Sequence, residues 1–75
     1  SHYPEFKERL SALCRISDIE YRVCLLLKVG VSPKDIATLT IKTKSAISVM
    51  RKRLYLKAFG KEETPEKWNE FIRSL

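Results

Sequence analysis

Apolar residues recur at three- and four-residue spacing in five stretches of this chain, and each stretch is bracketed by residues that start or stop helices. Phe6, Leu10 and Leu13 predict a first packing helix from Pro4 to about Cys14, with the proline at an early helical position and Glu5 and Glu8 near the positive end of the dipole. Ser17-Asp18-Ile19-Glu20 has the form of a capping box, and Ile16 and Tyr21 have the spacing of a hydrophobic staple. The helix that starts there carries Val23, Cys24, Leu26 and Leu27 through to Val29, ends at Gly30, and is expected to be the most buried. Ser32-Pro33-Lys34-Asp35 repeats the start signal for a short third helix holding Ile36, Ala37 and Leu39. After the β-branched run Thr38 to Thr43, Thr43 caps a fourth helix whose stripe is Ala46, Ile47, Met50, Leu54 and Ala58, closed by Gly60. Thr64-Pro65-Glu66 opens a fifth, with Trp68, Phe71, Ile72 and Leu75 predicted to cover Leu56 and Phe59.

These elements predict an all-α fold, a small orthogonal bundle of about five helices in one domain spanning residues 1–75. A short helix followed after about three residues by a longer amphipathic one is the helix-turn-helix unit, here with an added C-terminal helix. Ala37 would let the two helices of that unit cross closely.

Charge changes the picture, because it is segregated. From Ile36 to Lys61 the chain holds Lys42, Lys44, Arg51, Lys52, Arg53, Lys57 and Lys61 without an acid, while the rest carries eight basic and nine acidic side chains, so this block accounts for the whole formal net charge of +6. Such a block is the electrostatic footprint of a chain that approaches phosphates, although a solvated lysine-rich face would look the same. Turning about 100° per residue from the apolar stripe places Ser45, Ser48, Val49 and Lys52 on the opposite side of the fourth helix, with Lys44 and Arg51 towards one flank and Arg53 towards the other. Small hydroxyls and one short apolar residue suit close approach to base edges, where Ser hydrogen-bonds and Val touches a thymine methyl. The expected base-facing set is therefore Ser45, Ser48, Val49 and Lys52, and the expected phosphate-facing set is Lys42, Thr43, Lys44, Arg51, Arg53 and Lys57.

Other chemistries find little to use. Cys14 and Cys24 have no CxxC spacing and no neighbouring ligands, and read as small reduced core residues, with a disulfide between them the alternative on counting. The only histidine is His2, and Ser1 and His2 read as an added remnant left out of the fold reading. No Gly-rich phosphate loop, paired catalytic carboxylates or metal-ligand cluster is visible, so the expectation is a non-enzyme without cofactor or metal. No apolar run is long enough to span a bilayer and no charged-then-apolar leader precedes it, which predicts a cytoplasmic chain without membrane attachment.

In the order of its elements the stretch Ile16 to Leu54 resembles the LuxR/GerE-type DNA-binding domains of bacterial transcriptional regulators, within the winged-helix-like superfamily. The residues that carry the resemblance are Ile16-Ser17, Glu20, Gly30, Ser32, Asp35-Ile36-Ala37, and Ala46-Ile47 through Leu54. Thr40 and Lys42 stand where that family usually has aliphatic residues, Ala46 where it often has Thr and Met50 where it often has His, and the fifth helix lies outside its usual four. Sigma-factor-like helix-turn-helix domains share the pattern. The resemblance implies sequence-specific double-stranded DNA as partner, a homodimer on DNA as one binding mode, and an upstream sensor or dimerisation domain in the same polypeptide. A reading from another class makes the chain a helical protein-interaction module, docking through Leu56, Phe59, Trp68 and Phe71 beside a basic face. RNA binding is a third, weakened by the lack of aromatics among the basic residues other than Tyr55.

Overall fold

The computed structural model describes residues 3–75, with the side chain of Tyr3 undescribed; Ser1 and His2, including the histidine set aside above, lie outside the described residues. Five helices follow one another: α1 Tyr3–Leu13, α2 Asp18–Lys28, α3 Pro33–Leu39, α4 Lys44–Phe59 and α5 Pro65–Ser74. Among the described residues there is no strand, and no helix is long and apolar enough to cross a membrane. The fold is a small all-α bundle with α3 and α4 as its helix-turn-helix.

The starts are set by side chains. At α2 the capping box forms in both directions, the Glu20 amide donating to Ser17 Oγ at 3.3 Å and the Ser17 amide to Glu20 Oε1 at 2.8 Å. Ser32 Oγ accepts from the Asp35 amide, and Thr43 Oγ1 from the Ala46 amide at 3.0 Å. Pro65 opens α5, but Thr64 makes no side-chain cap bond. The stops differ more than the sequence suggests. At α2 the Gly30 amide reaches Leu27 O and the Val31 amide Leu26 O, with Gly30 at φ 93°, which is a Schellman ending. Beyond α3 the same two bonds recur, Ile41 to Thr38 O and Lys42 to Ala37 O, yet the left-handed position at φ 56° is held by an isoleucine. A β-branched residue with positive φ is an outlier, at a cost on the order of 1–3 kcal/mol.

One core cluster joins all five helices: Phe6 and Leu10 from α1, Val23, Cys24 and Leu27 from α2, Ile36 and Ala37 from α3, Ile47 and Leu54 from α4, Trp68 and Ile72 from α5. The Cα radius of gyration of the described chain, 11.3 Å, matches the roughly 11 Å expected of a compact chain this long. α4 packs on both α3 and α5, and α5 also on α2, where Trp68 Nε1 donates to Cys24 Sγ at 3.3 Å inside the core. Burial pushes the Cys24 thiol up to about 12. Both cysteines are free, with Cys24 buried and Cys14 half-buried. The C-terminal end of α5 is held by cations from other helices, Lys28 Nζ donating to Arg73 O and Arg9 Nη1 to Leu75 O, where the helix dipole favours positive charge.

Three stripe positions do not go inside. Leu13 is the last residue of α1, which stops one residue before Cys14. Val29 is the C-cap of α2 and Leu39 the last residue of α3, and both are exposed. Each sits at a helix end, where the chain leaves the packed face before the stripe is complete.

Candidate nucleic-acid interface

α4 offers solvent a long, acid-free surface whose rotation is fixed from inside. Ile47 and Leu54 are fully buried, so the residues half a turn away are forced outward: Ser45, Val49 and Lys52 are all exposed and fall along one row that continues to Leu56. Lys44 is exposed at the first helical position, and Lys42, Thr43 and Arg53 are exposed around the N-terminal half. Thr43 uses its oxygen as the cap acceptor, which leaves its hydroxyl proton for an outside acceptor.

Lys42, Ser45, Val49 and Arg53 share an open groove with Ser17, Ile19 and Glu20, the start of α2, so the structure brings these candidates together along one edge of α4. On the other side Val49, Lys52, Arg53 and Leu56 border a shallow cavity of about 190 Å³ with Glu62 and Glu63. These two acids were not singled out by the sequence reading; their position just past Gly60 was the available signal. Acids thus flank the face from both neighbouring segments, Glu20 at its start and Glu62 and Glu63 from Val49 onward, while α4 itself carries only positive charge.

Two expected phosphate ligands are placed otherwise. Arg51 is a correction: the residue is 4% exposed and turned towards α5, with Nη1 donating to Asn69 Oδ1 of that helix at 3.0 Å and Nη2 to Ser48 Oγ of its own at 3.3 Å. Glu66 Oε2 lies 4.0 Å away. Burial pulls the guanidinium's pKa down and Glu66 acts against that shift. Arg51 is four residues after Ile47 and three before Leu54, which places it within the apolar stripe; weighing it by its charge pointed it outward. Asn69, three residues before Ile72 on the buried side of α5, is the partner the sequence reading missed. Lys57 is directed back to α2, with Nζ 3.6 Å from Glu20 Oε1, so its charge is partly answered within the chain. Ser48, expected on the outer face, is half-buried on the flank towards α5.

The apolar end of α4 is also only partly as expected. Phe59 meets Phe71 edge-on at 4.9 Å and Tyr55 at 4.7 Å, yet Leu56 and Phe59 remain 45% and 43% exposed, so neither is enclosed by α5. Trp68 is fully buried and Phe71 half-buried. No protein-family model, curated protein or solved structure matches the chain.

Proposed function

We propose that the chain binds double-stranded DNA sequence-specifically, as a LuxR/GerE-like helix-turn-helix output domain serving transcription regulation, with the N-terminal half of α4 in the major groove. One observation carries the reading: buried Ile47 and Leu54 turn Ser45, Val49 and Lys52 outward in a row flanked by Lys42, Lys44 and Arg53, with no acid on the helix. A recognition helix works through its N-terminal residues, with short side chains that let the backbone approach base edges. Lys42, Thr43, Lys44 and Arg53 then hold phosphates and fix the register, while Ser45, Val49 and Lys52, with Ser48 at the edge, face bases. Glu62 and Glu63 border the row at Val49, Lys52 and Leu56 and not at Ser45 or Lys44, which favours entry by the first turns of the helix. The activity is binding without catalysis, inside the cell, in a longer regulator.

The test is duplex affinity at increasing salt, with Val49→Trp beside the parent. The charged phosphate contacts of Lys42, Lys44 and Arg53 each add roughly 0.9 to the log–log salt slope, Thr43 adding none, and the bulky residue shifts the preferred sequence. A salt-independent constant rejects the reading. A docking surface for a protein partner is the second reading, favoured by the exposed Leu56 and Phe59. Trp68 no longer belongs to it, since it is enclosed in the core.

A further inference from the structure

Arg51 links Ser48, on the flank of the proposed reading face of α4, to Asn69 on α5. Arg51 Nη2 donates to Ser48 Oγ, Nη1 donates to Asn69 Oδ1, and Nε is buried without an acceptor. A buried arginine with one donor unanswered is a poor choice for packing, because an apolar side chain of similar volume usually serves stability as well or better. Its geometry points to a different role.

We propose that Arg51 is a positioning residue that sets the hydrogen-bonding polarity of Ser48, so that Ser48 offers a proton, and not a lone pair, to the base it meets. This rests on the reading of α4 as the DNA-facing helix. A serine hydroxyl has one proton and two acceptor lone pairs, and alone it accepts either kind of partner. Here the guanidinium occupies one lone pair, and a charged donor polarises the O–H bond, strengthening the hydroxyl as a donor while its nearby positive charge opposes a second incoming N–H. The hydroxyls of Thr38 and Thr40 are spent on carbonyls of their own helix, Lys34 O and Ile36 O, whereas the Ser48 proton has no acceptor among the described residues. Asn69, itself buried, anchors the far side of the guanidinium and keeps it from following the hydroxyl outward.

In the major groove guanine presents two acceptors, N7 and O6, and cytosine only its amino donor. Ser48 is therefore assigned to a position where guanine is preferred and cytosine is rejected, by about fivefold or more if one hydrogen bond decides it.

The experiment is selection of bound duplexes from a random pool by the parent chain, Ser48→Ala, Arg51→Met and Arg51→Gln, with folding followed by circular dichroism. The parent should enrich guanine over cytosine at one position, Ser48→Ala should lose that preference there alone, and Arg51→Met should reduce it at the same position while the rest of the motif is kept. Arg51→Gln retains a donor without the charge and should fall between, and it decides the matter if Arg51→Met does not fold. A guanine-to-cytosine ratio unchanged in the folded Arg51 variants overturns this inference and leaves the DNA reading standing. A pool in which the parent enriches nothing overturns both.

Discussion

α4 and α5 pack side by side and each buries one polar residue, Arg51 against Asn69, yet only α4 buries a charge and leaves three large apolar residues exposed. α5 buries Trp68 and Ile72 and leaves Glu66, Lys67, Glu70 and Arg73 to solvent. α4 buries Arg51 beside Ile47 and Leu54 while exposing Val49, Leu56 and Phe59. A helix whose whole task is packing gains from strict segregation, since each apolar group left in water forgoes about 25 cal/mol per Å². The departure in α4 is what the proposed DNA-facing role of its outer side would leave, and the cation turned inward has Asn69 and Glu66 of α5 as its partners.

The sharpest break between the two helices is in stability. Trp68→Ala removes a fully enclosed ring and the donor to Cys24, and should cost about 3–5 kcal/mol. Leu56→Ala, half in water, should cost less than about 1 kcal/mol. Urea unfolding monitored by circular dichroism checks both, and equal losses would mean that Leu56 is covered after all.

Within α4 the same contrast separates neighbours. Arg51→Ala should lose about 2–3 kcal/mol, because Asn69 Oδ1 is left buried without its donor. Lys52→Ala should change stability by no more than about 0.5 kcal/mol. For duplex binding the order reverses, and Lys44→Ala should weaken all sequences alike and lower the salt slope by about one. A stability loss at Lys52 matching that at Arg51 would erase the distinction between the two sides.

These contrasts show how much of the molecule was legible in the sequence. The caps were, since Ser17 with Glu20, Ser32, Thr43, Gly30 and Gly60 act locally through bonds a few residues long. The core followed from periodicity at the helix centres, through Leu10, Val23, Ile47, Leu54, Trp68 and Ile72. Arg51 was misplaced because its burial depends on Asn69, eighteen residues away and on another helix. Ile41 escaped because a left-handed ending normally announces itself with glycine or asparagine. Of the four residues expected outward, Ser45, Val49 and Lys52 are exposed and Ser48 is drawn half inward by Arg51, whereas the acids beside the row arrive from the following loop.

Ile41 sharpens a smaller comparison, between two endings of one design. Gly30 meets its left-handed position without strain, and Ile41 does so with 94% of its surface in water and no packing in return. Ile41→Gly should therefore stabilise by about 1 kcal/mol, raising Tm by roughly 4–8 °C. An unchanged or lower Tm would show that the isoleucine makes a contact that offsets its backbone.

The smallest expected effect is chemical. Cys24, with its thiol held at about 12 against an ordinary 9.0, should resist alkylation in the folded chain far longer than half-buried Cys14. Because the folded state favours the protonated thiol, this contribution to stability is complete below pH 9.0 and fades as pH rises towards about 12. Cys24→Ala should flatten that alkaline decline; a decline of the same steepness would assign it to other groups.

The most direct test of the outward row is a titration of the isotopically labelled chain with a short duplex, followed by amide and side-chain NMR shifts. The account predicts the largest changes at Lys42, Lys44, Ser45, Val49, Lys52 and Arg53 and at the start of α2 around Ser17, with α1 and the outer surface of α5 unmoved. Changes centred on Leu56, Phe59 and Phe71, or none at all at low salt, would contradict it.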